Sequence, residues 1–112
     1  MSTRAELRAW KATPATEVMP GLVRRSLHGD GMTLLRLTIR AGVELPSHSH
    51  PEEQMTIILV GKLRFDFEGS AGPLAVRSGE VAHIPGGVPH SATAEQDVVA
   101  IEVFAPARPE LT

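Results

Sequence analysis

Gly42-Val43-Glu44-Leu45-Pro46-Ser47-His48-Ser49-His50-Pro51-Glu52-Glu53-Gln54 sets the reading of the whole chain. Successive side chains of an extended strand point to opposite faces, so His48 and His50 are expected on one face. Two imidazoles a few ångströms apart make a bidentate clamp for a divalent metal. Glycines frame the clamp in the pattern Gly42-x5-His48-x-His50-x3-Gln54-x6-Gly61. After a gap of 17 residues a second block follows, Gly79-x5-Pro85-x-Gly87-x2-His90.

Around these blocks the sequence reads as short strands. Leu35, Leu37 and Ile39 alternate with Arg36, Thr38 and Arg40, the period of a strand with one buried face. Met55 to Val60 is apolar and rich in β-branched residues, which predicts a strand buried on both faces. Leu63, Phe65 and Phe67 alternate with charged residues. Leu74 with Val76, Val81 to Ile84, and Val98 to Phe104 give three more strands. Turns are expected at Gly29-Asp30-Gly31, Ala41-Gly42, Gly61-Lys62, Gly69 to Gly72, Ser78-Gly79 and Gly86-Gly87. This spacing predicts an all-β sandwich or barrel. Only Ala5 to Lys11 is a helix candidate.

The chain has 112 residues, enough for one domain, and a net charge of −2. That charge offers no basic surface for nucleic acid, and Arg24-Arg25, the longest basic run, reads as solvated surface. No apolar run approaches the roughly 20 residues that span a membrane, and no apolar leader follows Met1, so a cytoplasmic protein without a membrane partner is expected. The absence of cysteine removes thiolate ligands, disulfides and Cys nucleophiles from consideration.

The paired blocks resemble the two motifs of the cupin superfamily. The resemblance implies an all-β jelly-roll barrel, the double-stranded β-helix, as a single domain over residues 1–112 with the barrel over about 20–106. It implies one divalent transition metal inside the barrel, held by His48, His50, Gln54 and His90. Two positions depart from the superfamily pattern: Gln54 stands where an acid is usual, and Ala94 where an Asn is common. Strand parity turns Glu53 away if Gln54 points inward. His83 is expected on the outer side of its strand, and His28 in solvent beside a glycine-rich turn. Three imidazoles and one amide are neutral, so the ion keeps its full charge and attracts carboxylate or enolate oxygens. Ni, Zn, Mn, Fe and Co all suit these ligands.

The last strand supplies further candidates. Glu102 interrupts the apolar parity of Val98, Ala100 and Phe104. If that parity faces the cavity, Glu102 is an acid beside the metal, Phe104 a wall, and Arg108 a clamp for a substrate carboxylate. From the strand alone, a surface Glu102 and an ordinary tail Arg108 are the simpler reading. The blocks His48 to Gln54, Ile84 to His90 and Val103 to Arg108 are similar to the pectin-degradation protein family known as KdgF. That resemblance implies conversion of 4,5-unsaturated monouronates from pectin or alginate to linear ketouronates. Glu102, Phe104 and Arg108 match the family's acid, Phe and Arg, although the family's acid is typically Asp. The expected partner is a small carboxylate-bearing sugar acid. Other readings are a metal-dependent dioxygenase, a polyketide-type cyclase, or a non-enzymatic small-molecule or metal sensor. A homodimer through an outer sheet face carrying Met55, Ile57 and Leu59 is also expected.

Overall fold

The computed structural model describes residues 3–69 and 72–112. Among them ten strands form two antiparallel sheets. In chain order they are β1 (Thr16–Met19), β2 (Leu22–His28), β3 (Thr33–Ile39), β4 (Glu44–His48), β5 (Glu53–Val60), β6 (Lys62–Phe67), β7 (Leu74–Arg77), β8 (Val81–Ile84), β9 (His90–Ala94) and β10 (Val98–Ala105). One sheet runs β1-β2-β3-β10-β5-β8 and the other β4-β9-β6-β7. The fold is an all-β jelly roll of two packed sheets.

Alternation builds both layers. Thr33, Leu35, Leu37 and Ile39 of β3 are buried, and the residues between them are only partly so. Val98, Ala100 and Phe104 of β10 and Gln54, Thr56 and Ile58 of β5 point the same way. Across the core lie Leu63 and Phe65 of β6 with Ala92 and Ala94 of β9. Within that sheet small residues of β9 stand beside large ones of β6, Ala94 by Leu63 and Ala92 by Phe65, which leaves room for side chains of the facing sheet.

Register then sets the chemistry in rows. Thr33, Phe104, Gln54 and Ile84 lie abreast on β3, β10, β5 and β8. Leu35, Glu102, Thr56 and Ala82 form the next row on the same face. In the smaller sheet His48 sits directly opposite His90.

Several expectations need correction. Ala5–Lys11 is not helical; a single 3-10 turn at Trp10–Ala12 is all that forms. β5 is not buried on both faces, because Met55 and Leu59 are nearly half exposed on its outer side. Arg24 and Arg25 are not merely solvated. Arg24 Nη2 donates to the Thr112 carbonyl at 2.8 Å, and Arg25 Nη1 donates to the Trp10 and Thr13 carbonyls. The two arginines thus pin the terminal segments to β2. The turn expected over Gly69 to Gly72 includes Ser70 and Ala71, which lie outside the described residues.

The two motif blocks meet at a backbone contact. The Gly87 N–H donates to the His50 carbonyl at 2.8 Å. A Cβ on Gly86 would stand 2.1 Å from the Pro51 carbonyl oxygen, so only glycine permits the approach. Gly86→Ala is expected to destabilise the fold by about 1–3 kcal/mol, the range for overpacked sites. Gly72→Ala, with nothing within 4 Å of the added carbon, serves as the neutral control. Denaturant titration of the two variants beside the parent checks this, and equal midpoints for all three would refute it.

Candidate metal centre and its cavity

His48, His50 and His90 each present a nitrogen, and the three lie within 4.8 Å of one another. They arrive by different routes. His48 ends β4, His90 begins β9, and the pairing of these strands sets them abreast with ring centroids 4.4 Å apart. His50 stands past the end of β4, not on it. The shared-face reading of His-x-His on a strand therefore fails for His50, although the convergence it predicted is real. His50 lies in the connection from β4 of the smaller sheet to β5 of the larger one, just before the chain bends at Pro51-Glu52. Its backbone is held there by Gly87.

Each imidazole has its Nδ1 tied to a backbone carbonyl two residues away. His48 reaches Pro46 at 3.1 Å, His50 reaches Glu52 at 2.9 Å and His90 reaches Val88 at 2.8 Å. A carbonyl only accepts, so each Nδ1 carries a proton and, in the neutral ring, each Nε2 presents a lone pair; that of His50 then faces a second acceptor, Gln54 Oε1, at 3.1 Å, a contact that is favourable only with a cation between them. Such bonds also fix ring orientation, as partners of ligating histidines commonly do. His90 Nε2 is buried with no hydrogen-bond partner among the described residues. Burial holds the His90 imidazole below its ordinary pKa, with the charges of His48, His50 and Arg108 adding to the effect and the Val88 carbonyl opposing it. A neutral, oriented and otherwise unpartnered Nε2 fits a metal ion.

Gln54 approaches from the opposite sheet. Its Oε1 lies 3.1 Å from His50 Nε2, and its Nε2 donates to Glu102 Oε2 at 2.7 Å and to Thr56 Oγ1 at 2.9 Å. Thr56 in turn donates to Glu102 Oε2 at 2.7 Å. Glu53 points outward to His83, with Nε2 and Oε2 2.7 Å apart on the exposed side. Parity thus separates Gln54 from Glu53 and His83 as the sequence reading expected.

Glu102 faces the cavity. Burial raises its pKa, against the lowering effects of the Thr56 hydroxyl, the Arg108 charge and the Gln54 amide. Its Oε2 takes both hydrogen bonds, and Oε1 makes none among the described residues. Arg108 stacks over Phe104, with Cζ 4.9 Å from the ring centroid. Its Nε lies 3.1 Å from Glu110 and 3.5 Å from Glu52. Its two terminal nitrogens make no hydrogen bond among the described residues. Phe104 packs edge-on against His50 at 5.3 Å between centroids.

These groups line one cavity of 240 Å³ that includes His48, Gln54, His90, Glu102, Phe104 and Arg108. A basic side chain, a carboxylate and two of the three imidazoles thus share one cavity. Sequence reasoning missed Thr56, the second donor to Glu102; its parity with Gln54 was the available signal. It also placed His28 in solvent, whereas His28 Nδ1 lies 2.9 Å from the buried Thr33 hydroxyl and its Nε2 is enclosed. No described helix is long and apolar enough to cross a membrane.

No curated protein sequence matches the chain. Solved structures do. An RmlC-like cupin from Shewanella frigidimarina superposes with a TM-score of 0.85 over 100% of both chains at 20% identity. KdgF from Halomonas sp. gives 0.80 over 91% of this chain and 95% of that one at 22% identity. Oxalate decarboxylase from Bacillus subtilis gives 0.81 over 95% of this chain but 31% of its own length, at 20% identity. At such identities the likeness is one of fold. The family model for the cupin domain matches residues 35–104, more than half of the chain. The chain belongs to the cupin domain family.

Proposed function

We propose that the protein is a metal-dependent enzyme that opens 4,5-unsaturated monouronates to linear ketouronates. The observation that carries this reading is the placing of Glu102, Arg108, His48 and His90 around one small cavity, with His50 grouped beside the other two histidines. Its 240 Å³ lies below the usual range for ligand sites of roughly 300–1,000 Å³, which suits a single sugar ring. The motif resemblance to the KdgF family over His48 to Gln54, Ile84 to His90 and Val103 to Arg108 supports the substrate class.

His48, His50 and His90 would hold the ion through Nε2, and Gln54 through Oε1. A divalent ion there supplies Lewis acidity toward carboxylate and hydroxyl oxygens, with no ligand charge to offset its own. Arg108 binds the substrate carboxylate through its terminal nitrogens, and Phe104 holds the guanidinium in place. The reaction is an isomerisation. The bond between the anomeric carbon and the ring oxygen breaks, and the anomeric hydroxyl loses its proton to leave an aldehyde. The ring oxygen keeps the bonding pair, takes up that proton and becomes an enol. Moving one proton from that oxygen to the alkene carbon turns the enol into a ketone, so atoms and electrons balance. Glu102 Oε1 carries the proton, while Thr56 and Gln54 hold Oε2 fixed.

Glu102→Gln preserves the shape, because an amide oxygen can accept both bonds now made by Oε2. It is expected to keep the fold and metal content and to lose about 10²–10⁴-fold in turnover of unsaturated galacturonate, the usual worth of general acid–base catalysis. Unchanged turnover would sink the assignment of Glu102. Oxygen uptake coupled to turnover would instead favour a dioxygenase.

The ligand set is tested separately by elemental analysis. One divalent ion per chain is expected. His90→Gln should weaken binding by more than the roughly 10–100-fold that loss of a supporting partner costs. Equal metal content in this variant and the parent refutes the site.

A second copy of the chain is the proposed macromolecular partner. Register places Met55 beside Val103, and Ile57 beside Ile101 and Val81, on the outer face of the larger sheet. Met55 and Val81 are 46% and 53% exposed, an apolar patch of the kind that marks an interface. Light scattering should give a dimer that Met55→Lys with Val81→Lys converts to a monomer. A monomeric parent at micromolar concentration overturns this.

A further inference from the structure

β2 inverts the usual pattern of a barrel strand. Leu22 points into the core, yet the residues that follow on the same parity are Arg24, Ser26 and His28. Their neighbours on β3 are Leu37, Leu35 and Thr33, all inward and buried. Three polar side chains thus stand in line on the inner face, two strands away from Glu102 and Phe104 of β10. At about 4.8 Å per strand their backbones are roughly 10 Å from those of Glu102 and Phe104.

Arg24 Nε, Ser26 Oγ and His28 Nε2 are all buried and lack hydrogen-bond partners among the described residues. Buried polar groups are nearly always paired, and one left unpaired costs about 1–3 kcal/mol. Three in line, at i, i+2 and i+4, point to something that binds there. Pro14, Thr16, Ser26, His28 and Thr112 enclose a space of 330 Å³ at this place. The Arg24–Thr112 hydrogen bond stands at its border with the metal cavity, which Arg24 and Leu111 line from the other side.

The protons on this row can be assigned. Thr33 is fully buried, and its hydroxyl oxygen accepts the Arg108 N–H at 2.8 Å. Its own hydrogen has one acceptor in reach among the described residues, His28 Nδ1 at 2.9 Å. His28 Nδ1 is therefore the bare nitrogen, and His28 Nε2 carries the proton. This is the reverse of the three metal-site histidines. The row then offers three donors: His28 Nε2–H, the Ser26 hydroxyl and Arg24 Nε–H. No side-chain carboxylate pairs with Arg24 among the described residues. Residues two apart on one strand face stand about 7 Å apart, a gap that the two oxygens of a carboxylate bridge by accepting from both.

We propose that the β2 pocket of Ser26 and His28, bordered by Arg24, is a second ligand site that takes a small carboxylate independently of the metal. It differs in kind from the metal cavity: it uses donors alone and no lone-pair ligand. A carboxylate there satisfies two buried donors at once and meets the positive charge of Arg24.

The test is a titration of the chelator-treated full chain with glycolate, followed by amide and imidazole nitrogen NMR. Saturable shifts at Ser26 and His28, with His28 protonated on Nε2, are expected in the parent and equally in His90→Gln. Ser26→Ala removes one small hydroxyl and should weaken glycolate binding by about tenfold, as should His28→Phe. Metal content of Ser26→Ala should match the parent, which separates this site from the metal centre. Shifts confined to residues 48–54 and 90, no saturable shift at all, or parent-like binding in Ser26→Ala would each overturn the proposal. If His28→Phe does not fold, Ser26→Ala and the His28 imidazole signals still decide it.

Discussion

Three short hydrogen bonds between imidazole Nδ1 atoms and backbone carbonyls govern what the cavity can do. Pro46, Glu52 and Val88 each hold a histidine by the chain segment that carries it. Rotating any of the rings would sacrifice such a bond and leave a carbonyl unpaired, so orientation is built into the backbone. That backbone depends on β4 pairing with β9 and on the close approach of Gly86 to Pro51. The glycines and prolines of the two motif blocks thus act at a distance from any ligand atom. They bring two turns into van der Waals contact, and the turns aim the rings.

The larger sheet answers with polarity where its core is otherwise apolar. Gln54, Thr56 and Glu102 occupy adjacent rows of an inner face that also carries Leu35, Ile58, Ala100 and Phe104. Gln54 Nε2, Thr56 Oγ1 and Glu102 Oε2 partner one another, and Gln54 Oε1 lies against His50 Nε2. The arrangement stabilises Glu102 in one rotamer, with one oxygen bound twice and the other free. A buried carboxylate costs the fold something, which the raised pKa expresses. Such a cost is typical of groups kept for reaction chemistry and not for packing.

Parity made much of this legible in advance. Gln54 against Glu53, Glu102 with Phe104, and His83 outward all follow from two-residue alternation, and the structure keeps each. What could not be read had physical reasons. β2 hides because its inward side chains are Arg24, Ser26 and His28 while Val23 and Leu27 point outward, so hydropathy gives the wrong face. β4 hides because it contains Pro46 and shifts register between Leu45 and His48. β9 is short and built from small residues. His50 was placed correctly in space for a mistaken reason. The connection after β4, not strand alternation, brings it beside His48, and the contacts with Gly86 and Gly87 and the bond to the Glu52 carbonyl fix that connection.

The identity of residue 54 ties the two halves of the cavity together. One amide turns its oxygen to His50 and its nitrogen to Glu102, so it joins a donor set for metal to a carboxylate. A glutamate at this position would set a second carboxylate against Glu102 Oε2, at the distance where Gln54 now donates. Two carboxylates that close cannot both ionise without a large penalty, so one of them would hold a proton. An acid at 54 and an acid at 102 are thus mutually disfavoured unless a proton is shared between them. The amide removes the conflict, keeps Glu102 hydrogen-bonded, and leaves the charge of a bound ion undiminished. The departure from the usual motif acid and the presence of an acid on β10 are therefore one feature, seen from two strands.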